Sequence, residues 1–419
     1  MERIKKHGVN GLHWLEQYLQ TDMVYVAKSG FWLTVGQVVS VMLAFGMSVF
    51  FANFIPKEDY GQYKFILSAT GILGALSLSG MGNVVIQAVA KGKEGMLKEA
   101  VFTTLKWGSI MLVVGLAGSA YYFINGNSVL GFSMLIASIS LPLSNSFNLY
   151  GGYFSGKRDF KSSTLYWIVA QTILSIGIVV VAILTKNALA LVAVYFAISA
   201  ISAVCGYYYV TRRNHLNSER DDSFMSYGKH VSFMNFFGTL ANQLDKILVF
   251  HYLGAANLAI YAFSQAIPEQ IKGSFKNLFN IALPKYAVLE DQDLRKSILK
   301  KTWQLMIITS VIVVAYILVA PFIFQFFFPQ YTDAVIYSQI YMLGLIAIPG
   351  ISLFGTYFQI KKATRTMYKL TIVSNVTTII LTFILIYNFG LKGAVIENGI
   401  SWLIMLGVHY YYFSTHKED

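Results

Sequence analysis

Gln265-Ala-Ile-Pro-Glu269-Gln-Ile-Lys272-Gly-Ser-Phe-Lys276-Asn-Leu-Phe-Asn280 lies inside an apolar run, 257–286, that is long enough to cross a bilayer. Gln265, Glu269, Lys272, Lys276 and Asn280 recur at intervals of four, three, four and four, so a helix gathers them on one polar stripe. At a rise of about 1.5 Å per residue, Lys272 falls near the bilayer midplane, where a charge costs about 2.5 kcal/mol or more and turns toward a cavity or a partner. Two readings follow. Either Glu269 and Lys272 neutralise each other and join helices, or the stripe faces a polar path through the membrane. Lys276 has no acid of its own within a turn, so the stripe carries surplus positive charge.

The whole chain repeats this setting. Of 419 residues 56% are hydrophobic and only 12% charged, with a mean hydropathy of +0.56, which describes a multi-pass membrane protein and leaves no soluble domain to find. The net charge of +12 would suit nucleic acid, but the basic residues sit in short loops between apolar spans and read as topology signals instead. One cysteine, Cys205, excludes an intramolecular disulfide. There is no phosphate-binding G-x-x-x-x-G-K-[ST], no metal-ligand spacing among the seven His and no nucleophile elbow. The outer loops are too short to hold an acceptor. An enzyme, a cofactor and a bound metal are therefore not expected, and neither is a nucleic-acid partner.

Runs bounded by charge, Gly or Pro predict twelve helices: 29–54, 62–90, 99–124, 128–152, 163–185, 188–210, 228–253, 257–286, 301–324, 333–357, 367–388 and 391–414. Most of the 32 Lys and Arg fall in the loops on the side of the N-terminus, against only Lys57, Lys186 and Lys392 opposite. The positive-inside rule puts both termini in the cytoplasm. The expected layout is a cytoplasmic or interfacial segment over 1–28, a first six-helix lobe over 29–210 and a linker over 211–227. A second lobe follows over 228–414, then a tail over 415–419. The first run is longer than a cleavable signal core and is expected to remain as an anchor.

Sliding one half over the other sets Pro56 on Gly254, Tyr63 on Tyr261 and Phe65 on Phe263, so the halves repeat with the same orientation. Gly71, Gly74 and Leu78 then occupy the places of Glu269, Lys272 and Lys276. Other polar residues inside spans include Lys64 and Lys106, each able either to snorkel to an interface or to face a cavity. Asp245 lies one residue off a stripe of Ser232, Asn235, Thr239, Asn242 and Lys246, and could pair with Lys246 or Lys272. Asn145, Asn148 and Gln171 read singly as interhelical contacts, and Glu397 as interfacial.

Asn53-Phe-Ile-Pro-Lys-Glu-Asp-Tyr60-Gly61-Gln-Tyr63, then Gly80-Met-Gly82, and in the second half Asn242-Gln-Leu-Asp245-Lys246, Leu253-Gly254 and Leu283-Pro284, resemble the polysaccharide transporter family. This family belongs to the multidrug/oligosaccharidyl-lipid/polysaccharide superfamily, and the likeness is to its Wzx-type O-antigen flippases. The resemblance implies an all-α, MATE-like protein of two six-helix lobes around a cavity. It implies transfer of an undecaprenyl-pyrophosphate-linked oligosaccharide across the bacterial inner membrane by alternating access, coupled to H+ or Na+. A monomer is expected, with membrane lipids and other polysaccharide-assembly membrane proteins as candidate partners.

On that reading Lys272, Lys276, Lys106 and Lys64 would meet the pyrophosphate, since Lys acts as a point charge for phosphate. Asn242, Gln265, Asn280 and Tyr261 would meet the glycan. Glu269 and Asp245 would hold the lysines or carry the coupling ion. A drug or metabolite exporter of the same superfamily is the alternative within transport, and a membrane scaffold for glycan enzymes is the alternative of another class.

Overall fold

The computed structural model describes residues 23–221, 223–286 and 291–415, with side chains described outside 23–28 and 274–286. Its helices are α1 (Met23–Phe54), α2 (Lys57–Ala75), α3 (Met81–Ala90), α4 (Met96–Ile124), α5 (Ser128–Phe147), α6 (Tyr150–Gly156), α7 (Phe160–Thr185) and α8 (Ala188–Arg213). The second half holds α9 (Ser223–Leu253), α10 (Ala255–Tyr286), α11 (Asp291–Phe327), α12 (Ala334–Gly344), α13 (Ile348–Ile360) and α14 (Thr364–Thr415). α14 is two arms, because Gly390 at φ 56° and ψ −131° interrupts its helical backbone. With α2–α3, α5–α6 and α12–α13 each counted as one crossing, the twelve expected spans are present.

Three spans differ from the continuous helices expected. The second breaks over 76–80, where Ser77 donates its hydroxyl to the Gly74 carbonyl (2.5 Å) and the Ser79 amide bonds to Ser77 O (2.7 Å). Small polar residues that bond their own backbone compete with the helix. The fourth pauses at Asn148 and Leu149, and the tenth passes through a 3-10 turn, Leu345–Ala347, just before Pro349, which has no amide proton to give. Side chains cap the starts of α5 and α7, where Asn127 and Asp159 accept from the amides of Leu130 and Ser162.

α1 to α8 pack as one lobe and α9 to α14 as another, meeting where α2 packs on α9 and α10 and where α3 packs on α9. At the outer end the seam is aromatic: Tyr60 against Phe263 (centroids 4.9 Å), Phe263 against Tyr331 (3.9 Å) and Phe65 stacked on Phe250 (3.9 Å). Gly61 lets the backbones touch there, since a Cβ on it would stand 1.9 Å from Ala255 O. At the cytoplasmic end the Gly80 amide donates to Ser232 Oγ (2.9 Å), and Gly228 packs on Met81 and Val84.

The segment joining the lobes is fastened to the first one. Lys93 bonds Asp221 (2.7 Å), Asn217 donates to Gly92 O (2.5 Å) and accepts from the Glu94 amide (3.0 Å). The Lys93 hydrogen bond, helped by Ser223, holds the Asp221 carboxyl down to about 2. A depressed carboxylate favours the docked form above its ordinary value near 3.9 and loses that contribution as pH falls through its lowered one. A fluorophore on Ser218→Cys, in a Cys205→Ser background, should therefore report a docked linker from neutral pH to about 4 and release only between about 4 and 2.

Candidate functional site

The stripe on α10 turns into the second lobe. Lys272 Nζ donates to Glu269 Oε1 (2.6 Å) and lies 4.8 Å above the centroid of the Trp402 ring. The Tyr341 hydroxyl donates to the same Glu269 oxygen, and Tyr341 meets Trp402 edge to face at 5.3 Å. Lys272 keeps 32% and Glu269 41% of their side-chain surface exposed, so the pair is only partly buried and contributes about 1 kcal/mol or less to stability. Gln265, one turn earlier, is buried. Lys276 and Asn280 lie outside the residues whose side chains are described.

A turn nearer the outer end is a second cluster. Buried Asp245 accepts from the Tyr261 hydroxyl (2.6 Å) and is 3.5 Å from Lys246, which also donates to Asn242 O (3.2 Å). Asn398 donates to Tyr261 Oη (3.2 Å), and Glu397 accepts from Ser401 (2.6 Å). Two expectations change here, and one choice left open is decided. Tyr261 is fully buried and its hydroxyl is committed to Asp245, so it offers no face to a sugar. Asp245 pairs with Lys246 and Tyr261, not with Lys272. Glu397 is 2% exposed rather than interfacial, because it lies seven residues, about 10 Å, past the Gly390 turn.

Tyr261→Phe is expected to cost about 1–3 kcal/mol of stability, since it leaves Asp245 buried and short of a donor. Thermal unfolding in detergent checks it; an unchanged midpoint would mean that Asp245 finds another donor.

Lys64 and Lys106 lie apart from these clusters, and Asn242 meets the second one only through its backbone carbonyl. Asn242 is exposed. Lys64 is half-buried, its ammonium 5.3 Å from the Tyr60 ring centroid. Lys106 is exposed on the outward face of α4 beside Phe102, away from the interior positions Thr104 and Gly108, so it is not a cavity residue.

A polar cavity of about 800 Å³ lies elsewhere, inside the first lobe. It is walled by α2, the 76–80 break, α3, α5, α6, α7 and α8, with Thr104 of α4 and Thr239 of α9 among its lining. Gly71 and Gly74, which stand where Glu269 and Lys272 stand in the second half, both line it. So do Asn145, Asn148 and Gln171, which face the cavity rather than serving only as contacts between helices; Asn145 does also reach Ser77 Oγ (3.3 Å). No Asp, Glu, Lys, Arg or His is in the lining. Irregular backbone at membrane depth persists where it borders a polar cavity, and two of the three helix breaks do so here. The clustering of Ser77, Ser79, Ser144, Asn145 and Asn148 was the signal in the sequence.

A second space of about 310 Å³ is apolar and runs between α1 (Val41, Phe45), α10 (Ile267, Ile271) and α11 (Ile323, Phe327). Among the described residues no three His, Cys, Asp or Glu converge as metal ligands. The molecule thus separates its chemistry: a neutral polar cavity in one lobe, a charged cluster in the other.

A family model described as polysaccharide biosynthesis protein matches residues 26–283, more than half of the chain. The chain belongs to that family. No curated protein matches it in sequence. Among solved structures this family member is similar to an inward-facing multidrug-resistance MATE transporter of the MOP superfamily, at TM-score 0.69 and 13% identity over 92% of this chain and 97% of that one. It is similar to the lipid II flippase MurJ in an inward closed conformation, at TM-score 0.71 and 13% identity over 91% of this chain and 87% of that one. A MOP superfamily transporter from Pyrococcus furiosus matches at TM-score 0.61 and 14% identity over 95% and 96%. At these identities the shared property is the fold.

Proposed function

We propose that this chain flips an undecaprenyl-pyrophosphate-linked oligosaccharide from the inner to the outer leaflet of the bacterial cytoplasmic membrane. The observation that carries the reading is the cavity of about 800 Å³, walled by hydroxyls, amides and two helix breaks inside a membrane bundle, in a member of a polysaccharide biosynthesis family. A hydrated glycan cannot pass some ~30 Å of hydrocarbon without substitutes for its water, and such a wall offers them.

The pyrophosphate needs cations. Lys272 answers that need once its bond to Glu269 opens, with Lys276 one turn on along the same helix. The prenyl chain fits the apolar crevice between α1, α10 and α11. Glu269 and Asp245 are the carboxylates through which coupling to H+ or Na+ would act. A cationic drug would want carboxylates in the cavity, and the cavity has none.

The test is purified protein in liposomes that carry lipid-linked oligosaccharide in both leaflets. Under an ion gradient the inner pool should become accessible to an added glycosidase; no gain in access, or export of a cationic dye in its place, would reject the proposal.

A further inference from the structure

We infer that the first-lobe cavity selects uncharged sugars and excludes acidic ones such as uronates. The inference rests on the flippase reading above and narrows its substrate.

Part of the lining accepts and does not donate. Thr70, Ser77, Ser144 and Ser155 each donate their hydroxyl proton to a carbonyl of their own helix (2.7, 2.5, 3.2 and 3.1 Å). Each therefore presents only oxygen lone pairs to the space. Sugar hydroxyls, which donate freely, match that wall. The amides of Asn148 and Gln171 add donors for ring and hydroxyl oxygens.

Trp167, Tyr150 and Tyr195 give the apolar faces of pyranose rings something to lie on.

The same wall repels carboxylates. An acidic sugar would leave water for a site with no cation in its lining, which raises its cost steeply. Lys64 is on the same side of α2 but one turn beyond Leu67, held over the Tyr60 ring and outside the lining. The volume lies within the ordinary range for small-ligand sites, about 300–1,000 Å³.

Two lipid-linked oligosaccharides that differ only in one sugar, a hexose or the matching hexuronate, decide the matter in proteoliposomes. The hexose form should flip at least about tenfold faster. Equal rates, or a faster hexuronate, would overturn the selectivity and leave the flippase reading in place. Movement of neither would withdraw the flippase reading, and this inference with it.

Gln171→Lys should then raise hexuronate flipping and lower that of the hexose; an unchanged ratio would remove the selectivity from this cavity. Asn148→Lys, at an exposed position, serves the same purpose if Gln171→Lys does not fold.

Discussion

Lys272→Ala should slow flipping of the lipid-linked oligosaccharide by about thirtyfold or more at matched protein levels. Removing one partner of a charged, hydrogen-bonded contact in a recognition site costs about 2 kcal/mol or more, and the pyrophosphate would lose its nearest cation. Stability should hardly move, because the Lys272 and Glu269 side chains are both partly exposed and their pair is worth little to the fold. Lys272→Arg keeps the charge over Trp402 and should retain much of the rate. Glu269→Gln separates two roles: it should change the dependence on the ion gradient if that carboxylate couples, and leave it alone if it only holds the lysine. Full-rate flipping by Lys272→Ala would exclude the ammonium from the transport path.

Gly61→Val should cut transport by a similar or larger factor through geometry alone. A Cβ at this position would stand 1.9 Å from Ala255 O and 2.5 Å from its carbon, so α2 and the start of α10 would have to separate. Overpacking of this kind costs about 1–3 kcal/mol, and here the cost falls only on the state in which the outer ends meet. A shift of about 3 kcal/mol changes the closed fraction by more than a hundredfold. Each lobe should still fold, and Ala259→Cys, buried near the start of α10, should in a Cys205→Ser background become reactive to an external thiol reagent. Gly407→Val is the control, since nothing lies within 4 Å of a Cβ there and the position is exposed. Normal transport by Gly61→Val, with the thiol still protected, would show that the seam never needs to open or close.

How far the sequence could be read follows from the range of each signal. Apolar run length and loop charge are local, so the number of spans and the break near Gly390 were legible. The pairing of Glu269 with Lys272 was legible for the same reason, being one helical turn. Direction was not. A stripe says that residues share a face, but not whether the face looks between lobes or into one, and the partners Tyr341 and Trp402 are far along the chain.

Depth misled in the same way at Lys106, which sits within its span yet points outward. Tyr261 looked like a platform for sugars because aromatic residues in transporters can be, but its hydroxyl had a prior claim from Asp245. The cavity was least legible of all. Its wall draws on segments around Ser77, Asn145, Gln171 and Ser199, and only the packing of several helices brings them to one place.

The stitching at the cytoplasmic end has a mechanical outcome. With Gly80 bonded to Ser232, Gly228 seated on Val84 and the connecting segment tied down by Lys93, the lobes resemble a book bound along α3 and α9. A volume held by its spine parts along the fore-edge, and on the proposed reading that edge is the greasy slot between α1 and α10, through which a long hydrocarbon tail would trail into the lipid while its head is carried within.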